Sequence, residues 1–208
     1  PKGPSGSRTG WAGILPACLN TVVKAMACHD ADILVFLPGA PAIRRLAEKL
    51  KEKYKQDPAV KIIPLFGSLS FKDQKAAIEP SPSGSRKIVL ATPIAETSLT
   101  IQGIRVVVDA GLVNQPEFSP GRGMTRLETR PVSKASADQR RGRAGRTAPG
   151  ICYRLWPHYV HQGLVPFNRP EILNADLAHL VLELALWGVR DPSELKWLDI
   201  PSPRAVAA

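Results

Sequence analysis

The 208-residue sequence predicts an α/β fold built on a doubly wound parallel sheet. Two features of the chain predict it. Short runs rich in Val, Ile and Leu recur without the alternating polar residues that a half-exposed strand shows. Amphipathic stretches with helical spacing separate these runs. Strands that are apolar on both sides need helices on both faces of the sheet, and the doubly wound arrangement supplies them.

The predicted strands and helices follow one another in a regular order. Strands are predicted at the apolar runs, which are residues 31–39, 60–67, 86–92, 104–111 and 150–156. One helix is predicted over residues 41–56, where Pro41 suits the first turn, and another over residues 71–79. We expect the loops at the carboxyl ends of the strands to form the ligand-binding edge.

Both ends of the chain depart from this order. Residues 1–16 open with a stretch rich in Pro, Gly and Ser, which predicts a linker and lacks the apolar segment of a secretion signal. The segment 168–189 is predicted to contain one long helix, which begins after Asn174 as its N-cap and ends at Gly188. The apolar face of this helix is expected to comprise Leu177, Leu180, Val181, Leu184 and Trp187. No strand pattern follows, so residues 163–208 are expected to open a second domain of a larger protein.

The composition favours a folded domain with a polyanionic partner. Lys and Arg outnumber Asp and Glu by 28 to 18, which gives a net charge of +10 and favours nucleic acid over a membrane. A basic surface without a ligand remains the alternative. The three cysteines (Cys18, Cys28 and Cys152) are far apart and form no CxxC pair, so neither a disulfide framework nor a metal site is predicted. We therefore expect a reducing compartment, either a bacterial cytoplasm or an organelle matrix, and no secretion or membrane span.

Several catalytic classes lack their motifs in this sequence. It contains no GxSxG elbow, no HExxH pair and no EF-hand loop. It also contains no GxxxxGK[ST] motif, so the chain by itself is not expected to hold a nucleoside triphosphate in a P-loop.

Three loops that follow predicted strands are rich in small and hydroxyl-bearing residues. They are residues 37–39, residues 66–70 with Ser68 and Ser70, and residues 91–103 with Thr92. Backbone N–H groups and hydroxyls at the carboxyl edge of a parallel sheet suit phosphate oxygens. Ordinary loop and cap chemistry is the alternative for any one of these loops.

The stretch "SADQRRGRAGR", residues 136–146, combines four arginines with two glycines. Ser136 is predicted to cap a helix on which Gln139, Arg143 and Arg146 share one face, while Arg140 and Arg141 point elsewhere. Each glycine costs a helix about 1 kcal/mol, which is tolerable where backbone or ligand approaches closely. The guanidinium fork matches phosphate better than the lysine ammonium does. A solvated run of charge is the alternative.

The motifs of the chain resemble those of DEAH-box RNA helicases. "QRRGRAGR" (139–146) resembles helicase motif VI, "ATPIAETSLTI" (91–101) resembles motif V, and "ILVFLPG" (33–39) resembles motif IV. The order and spacing look most like the HrpB branch of that family. The resemblance implies a second RecA-like domain over residues 17–162, an inserted β-hairpin over residues 114–130, and the start of a winged-helix domain over residues 163–208.

The resemblance also implies roles toward ATP. Arg143 and Arg146 would act as arginine fingers toward the γ-phosphate, while Gln139 would position the attacking water or contact the phosphate. Gln102 would face the ribose; many relatives carry an acidic residue there, and Gln102 brings no charge. ATP and Mg²⁺ would be held mainly by a first RecA-like domain of the same full-length protein.

Toward single-stranded RNA, the resemblance implies phosphate contacts from Gly39, Ser68 and Thr92. Thr97 and Ser98 would couple the RNA and nucleotide sites. Pro93 replaces the usual asparagine and so removes an N–H and an amide from motif V. Two alternatives remain, a non-catalytic nucleic-acid-binding module with the same fold and a DNA-directed superfamily 2 helicase. The RNA-helicase form of motif V favours an RNA helicase over a DNA-directed one.

Overall fold

The computed structural model describes residues 11–97, 99–119, 124–146, 148–189 and 191–201. The chain divides into two compact units. The first holds residues up to Val113 together with Pro131–Phe167, and the second holds Asn114–Arg130 together with the residues from Asn168 onward. The predicted hairpin thus groups with the C-terminal segment, and residues 163–167 group with the sheet-bearing unit.

The first unit is built on a five-stranded parallel sheet, as predicted. The strands of the described chain are β1 (Asp32–Phe36), β2 (Val60–Leu65), β3 (Arg86–Ala91), β4 (Ile104–Asp109), β5 (Leu112–Ser119), β6 (Met124–Pro131) and β7 (Ile151–Arg154). The sheet order is β2-β3-β1-β4-β7, with β1 at the centre. The α/β fold class is therefore confirmed, and all five carboxyl ends lie at one edge of the sheet.

Helices cover both faces of this sheet. The α-helices of the described chain are α1 (Trp11–Cys28), α2 (Ala40–Lys53), α3 (Phe71–Ile78), α4 (Ile94–Thr97), α5 (Lys134–Gly142), α6 (His158–Gln162) and α7 (Ala178–Leu186). Ile33 and Val35 of β1 pack in the layer that contains α1 and α2, whereas Leu34 and Phe36 pack in the layer that contains α3 and α4. Because successive strand residues point to opposite faces, a continuous apolar run fills both layers.

Two basic residues at the start of β3 bind carbonyls at the C-terminal ends of two helices, one on each face of the sheet. Arg86 donates to the carbonyls of Met26 (2.9 Å) and Ala31 (3.1 Å), at the C-terminal end of α1. The buried ammonium of Lys87 donates to the carbonyl of Ala77 (3.1 Å), at the C-terminal end of α3. Helix ends leave unpaired carbonyls and attract positive charge, so these neighbours anchor opposite layers to one strand.

The linker prediction is wrong for residues 11–16, because α1 already begins at Trp11. The side chains of Cys18, Val22 and Ala25 on this helix are completely buried against the sheet. Their spacing of four and three residues marks one helical face, a signal that composition alone overlooks. Residues 1–10 lie outside the described part of the chain.

In the second unit, β5 and β6 form the expected antiparallel hairpin. The Thr129 hydroxyl donates to Asn114 Oδ1 (2.7 Å), which links the two strands. Arg130 bonds to Glu117 across the strands and to Glu128 (2.9 Å) on its own strand. The hydrogen bonds from Arg130 lower the pKa of Glu128 to about 2. The turn residues 120–123 lie outside the described residues.

The helix predicted to follow Asn174 begins later in the chain than expected. A 3₁₀ helix spans Glu171–Leu173, and α7 begins only at Ala178 with Leu177 at the N-cap position, so the prediction of Asn174 as the cap is wrong.

The C-terminal end of α7 is formed as predicted. Gly188 has a φ of +86°, its N–H donates to the Ala185 carbonyl (3.0 Å), and the Val189 N–H donates to the Leu184 carbonyl (2.9 Å). This is the Schellman pattern that glycine favours. On the expected apolar face, Leu177 and Leu184 are buried, whereas Trp187 is 78% exposed.

Among the described helices, none combines the length and apolar character that a membrane crossing requires.

The fold predicts unequal reactivity of the three thiols. Burial raises the pKa of Cys18 to about 12 and that of Cys152 to about 11, while the Cys28 side chain is exposed. At about pH 8, close to the ordinary thiol pKa, we expect a disulfide reagent to modify Cys28 quickly and the other two slowly. Mass spectrometry of the labelled native protein checks this result. Denatured protein should react at all three cysteines, and rapid native labelling of Cys18 would contradict the burial of α1.

Candidate functional site

The arginine-rich segment begins on α5, which is capped by Ser133 and not by Ser136 as predicted. The Ser133 hydroxyl accepts the Ser136 N–H (3.1 Å). The Lys134 and Ala135 N–H groups donate to the carbonyls of Val165 (2.9 Å) and Pro166 (3.0 Å). The first-turn N–H groups therefore have partners, and the Ser136 hydroxyl donates to Glu96 Oε1 (2.6 Å) instead.

Arg140 is completely buried and joins three parts of the first unit. Its Nε donates to Glu96 Oε2 (3.0 Å), and its Nη1 donates to Asp109 Oδ1 (2.9 Å) and to the Leu112 carbonyl (3.3 Å). The guanidinium also lies 5.0 Å from the centre of the Phe36 ring. These contacts connect α5 to α4, to the carboxyl ends of β1 and β4, and to the first residue of β5.

Glu96 and Asp109 are the acidic partners of this arginine, and both are buried. Burial raises the pKa of Asp109, which the nearby charge of Arg140 and the Gly111 N–H (2.9 Å) oppose. One buried guanidinium thus faces two carboxyl groups in a region with little water. Such a cluster persists only when its geometry is held closely.

Arg143 is held by backbone carbonyls and not by carboxylates. Its Nε donates to the Glu96 carbonyl (2.8 Å), its Nη1 donates to the Leu99 carbonyl (2.6 Å), and its Nη2 also bonds to the Glu96 carbonyl. The residue is only 7% exposed. Burial and the like charge of Arg146 lower the pKa of Arg143, so two guanidinium groups lie close together at this point.

Arg146 and Gln139 present their side chains to solvent. Arg146 Nη1 donates to the Thr100 hydroxyl (2.5 Å). The expectation that Gln139, Arg143 and Arg146 share one helix face is wrong, because α5 ends at Gly142 and a turn follows. Arg141 lies on the outer surface, with its side chain 62% exposed and 3.6 Å from Asp138.

The two glycines of the motif are not explained by packing within the chain. A Cβ atom on Gly142 or Gly145 would meet no atom within 4 Å. By contrast, a Cβ on Gly150 would lie 2.0 Å from the Ala144 carbonyl oxygen, so the close approach of backbone occurs there. The open surface beside Gly142 and Gly145 leaves room for another molecule next to Arg146.

The loops predicted to contact phosphates lie at the carboxyl edge of the sheet. Gly39 is the N-cap of α2 just beyond β1, Ser68 follows β2 and is exposed, and Thr92 follows β3. Because these strands are neighbours in the order β2-β3-β1, the three loops are brought together at one edge. The Ser70 hydroxyl is already engaged as the N-cap of α3, where it accepts the Asp73 N–H (3.2 Å).

Motif V runs from this edge back to the start of β4. Pro93 lies directly before α4, where a missing N–H leaves no helical hydrogen bond unmade, and its carbonyl accepts the Glu96 N–H (2.8 Å). Thr97 is exposed, whereas Ser98 lies outside the described residues. Gln102 is exposed at the amino end of β4, and its N–H donates to the Ile78 carbonyl (3.1 Å).

The exposed groups around Arg146 and those at the carboxyl edge of the sheet are suited to a phosphate-bearing ligand. Arg146 and Thr100 offer a cation and a hydroxyl, and the edge loops offer hydroxyls and backbone N–H groups. No group of three or more His, Cys, Asp or Glu side chains able to hold a metal ion occurs in the described ranges.

Sequence reasoning missed the acidic partners Glu96 and Asp109. Glu96 is the single charged residue within "ATPIAETSLTI", and Asp109 directly follows the apolar residues "VVV". A lone acid within or next to a segment predicted to be buried is the signal that could have found them, because buried acids need a cationic partner.

Three comparisons place these features among known proteins. Residues 17–148 match the family described as helicase conserved C-terminal domain. The chain is 48% identical over 173 residues to ATP-dependent RNA helicase HrpB of Escherichia coli (strain K12), covering 83% of this chain and 21% of that protein. It is 41% identical over 203 residues to pre-mRNA-splicing factor ATP-dependent RNA helicase prp22 of Schizosaccharomyces pombe (strain 972 / ATCC 24843), covering 95% of this chain and 17% of that protein.

The structure also resembles the crystal structure of Escherichia coli DEAH/RHA helicase HrpB. The TM-score is 0.88 at 41% sequence identity, covering 98% of this chain and 25% of that one. The chain thus spans about a fifth of the length of the two curated relatives named above, 21% and 17% respectively.

The burial of Arg140 predicts a contrast with its neighbour Arg141. Arg140→Met leaves Glu96 and Asp109 buried without their cation, so we expect the free energy of unfolding to fall by about 3 to 5 kcal/mol. Arg141→Met removes an exposed ion pair and should change it by less than about 1 kcal/mol. Urea denaturation of this chain, followed by circular dichroism, measures both values. Equal losses in the two variants would show that the Arg140 cluster does not hold the fold.

Proposed function

The chain belongs to the helicase conserved C-terminal domain family, and from this premise we propose that it is the second RecA-like motor domain of an ATP-dependent DEAH-box RNA helicase. One observation carries the proposal. Arg143 is fixed to the carbonyls of motif V, while the adjacent Arg146 presents its guanidinium to solvent beside Thr100. A braced cationic turn of this kind is what a charge-stabilising group for phosphoryl transfer requires.

In this proposal Arg146 and Arg143 act on an ATP molecule that another domain holds. The sequence carries no P-loop motif, so a first RecA-like domain of a longer protein would bind the triphosphate and Mg²⁺. Bound ATP supplies the transferable γ-phosphoryl group. Arg146 would donate to its oxygens, Arg143 would hold the turn and extend the positive field, and Gln139 would orient the attacking water. Gln102, which lies near Thr100 in sequence, would face the ribose.

We propose that single-stranded RNA binds along the carboxyl edge of the sheet. Gly39, Ser68 and Thr92 come from three neighbouring strands, and they offer N–H groups and hydroxyls to successive phosphates. Contacts of this kind are independent of base sequence. Thr97 and Ser98 would then couple RNA binding to the nucleotide, since motif V extends from Thr92 to the contacts of Arg143 and Arg146. The protein would work in a reducing compartment such as a bacterial cytoplasm.

The roles of the arginines predict unequal effects of charge-preserving substitutions. In the full-length protein, Arg146→Lys keeps the charge but loses the fork, and we expect kcat for ATP hydrolysis to fall by about two powers of ten or more. Arg143→Lys should cause a similar loss and also lower stability, because a lysine ammonium lacks the planar fork that spans the Glu96 and Leu99 carbonyls. Arg141→Lys is the matched control and should be nearly silent.

Steady-state ATPase rates and RNA titrations without nucleotide measure these effects. RNA affinity should barely change in the three variants. If all three lysine variants lost turnover equally, or lost RNA binding in place of turnover, the assignment of fingers would be wrong. RNA binding by a full-length protein that hydrolyses no ATP would instead favour the non-catalytic binding module.

The proposed phosphate contacts predict that uncharged substitutions lower the affinity for RNA and leave the salt dependence of that affinity unchanged. The isolated chain should bind single-stranded RNA weakly, with log Kd rising linearly with log salt between 50 and 200 mM, because its Lys and Arg residues displace counterions. Ser68→Ala and Thr92→Val should weaken binding without changing that slope, since neither removes a charge. Fluorescence anisotropy with a labelled oligonucleotide measures both quantities. The control is Ser85→Ala, since Ser85 lies just before β3 at the amino edge of the sheet. This variant should bind RNA as the wild type does.

A further inference from the structure

We propose that Glu96, Arg140 and Asp109 form a buried positioning network that transmits nucleotide occupancy to the RNA-contacting turn after β3. This inference rests on the proposed function, and it concerns how the two sites communicate. The three residues contact neither ligand in that proposal. They act through Arg143, Arg146 and Thr92, whose relative positions they set.

Glu96 is the point at which α5 is attached to motif V. Its Oε1 accepts from Ser136 (2.6 Å), its Oε2 accepts from Arg140 (3.0 Å), and its backbone carbonyl accepts from Arg143 (2.8 Å). The first turn, the last turn and the C-cap of α5 therefore all hold this one residue. A displacement of Glu96 cannot occur without a displacement of the arginine-bearing segment.

The same residue is tied closely to the RNA-facing turn. α4 is a single helical turn that begins two residues after Thr92. The Ala95 N–H donates to the Thr92 carbonyl (3.2 Å), and the Glu96 N–H donates to the Pro93 carbonyl (2.8 Å). Thr92 and Glu96 thus move as one short unit. Four residues further on, Thr100 contacts Arg146, so the segment links the proposed RNA and nucleotide contacts within nine residues of chain.

Asp109 supplies the fixed end of the network. It is the last residue of β4 in the interior of the sheet, and it is completely buried. Its Oδ1 accepts from Arg140 (2.9 Å) and from the Gly111 N–H (2.9 Å). Arg140 therefore connects the end of a strand inside the sheet to Glu96 on α4, so the position of Glu96 is set relative to β4.

The network is better suited to positioning than to stability. Within the described structure, the buried atoms Asp109 Oδ2 and Arg140 Nη2 have no hydrogen-bond partner. Unsatisfied buried polar atoms are costly, and apolar residues of similar size replace buried ion clusters with neutral or favourable effects on stability. A cluster with one cation, two carboxyl groups and unpaired hydrogen-bonding atoms therefore stabilises the fold less than apolar residues of similar size would. Its contribution lies in fixing the geometry of Glu96 relative to α5.

The test measures coupling in the full-length protein. The quantity is the ratio of the RNA Kd without and with a non-hydrolysable ATP analogue, which by linkage equals the effect of RNA on binding of the analogue. In the wild type we expect a ratio different from 1 by about 5- to 150-fold. In the apolar triple variant Glu96→Leu, Asp109→Leu and Arg140→Met we expect a folded protein whose ratio lies within about twofold of 1.

Arg140→Lys is the second variant, and it decides the matter if the triple variant does not fold. It keeps a buried cation, but an ammonium lacks the planar fork that bonds to Glu96 and Asp109 at once, so the ratio should again approach 1. The matched control is Asp138→Asn, which breaks the 2.7 Å ion pair with Arg154 on the outer side of α5 and should leave the ratio unchanged. A purely structural role would lower the melting temperature and leave the ratio intact.

The outcomes separate this inference from the function on which it rests. Folded network variants with the wild-type ratio would overturn the positioning role alone. A wild-type protein with neither ATP hydrolysis nor nucleotide-dependent RNA affinity would overturn the proposed function, and this inference with it. A ratio near 1 in the network variants, together with the wild-type ratio in Asp138→Asn, supports both the positioning role and the proposed function.

Discussion

A single buried guanidinium organises the arginine-rich surface of this domain. Arg140 is withdrawn completely from solvent, and burying a cation is tolerable only when acidic partners and hydrogen bonds surround it. Glu96 and Asp109 meet that need from α4 and from β4. As a result α5 can occupy only one position against the sheet, and the residues that follow it are placed accordingly.

The four arginines of one short motif therefore have four different environments. Arg140 is internal, Arg141 lies on the outer surface, Arg143 holds backbone carbonyls, and Arg146 remains exposed beside Thr100. Equal charge does not make these residues equivalent, because burial and partners decide what each guanidinium can still bind. At the internal positions, Arg140 and Arg143, lysine cannot form the forked contacts that arginine makes.

The parallel sheet determines where the other proposed contacts lie. Its strand order brings the loops after β2, β3 and β1 to adjacent positions at one edge. From that edge, motif V runs along the layer that α4 and Ala144 cover toward the amino end of β4. The substitution of Pro93 in motif V is compatible with this path, because it lies where a helix begins and no N–H is needed.

The sequence by itself determined the fold class, the five strands and the motifs, because each is encoded in local features, whereas the hairpin was expected only from the family resemblance. Continuous apolar runs predict buried strands, and Gly188 predicts a helix end, without reference to distant residues. The tertiary structure alone decided which arginine is buried, which serine caps α5 and where α7 begins. Those outcomes depend on partners far away in sequence, such as Glu96 and Asp109, which precede Arg140 by 44 and 31 residues. A side chain capable of capping or of binding phosphate is recognisable from its type, but its actual partner is set by competition among all groups that folding brings within reach.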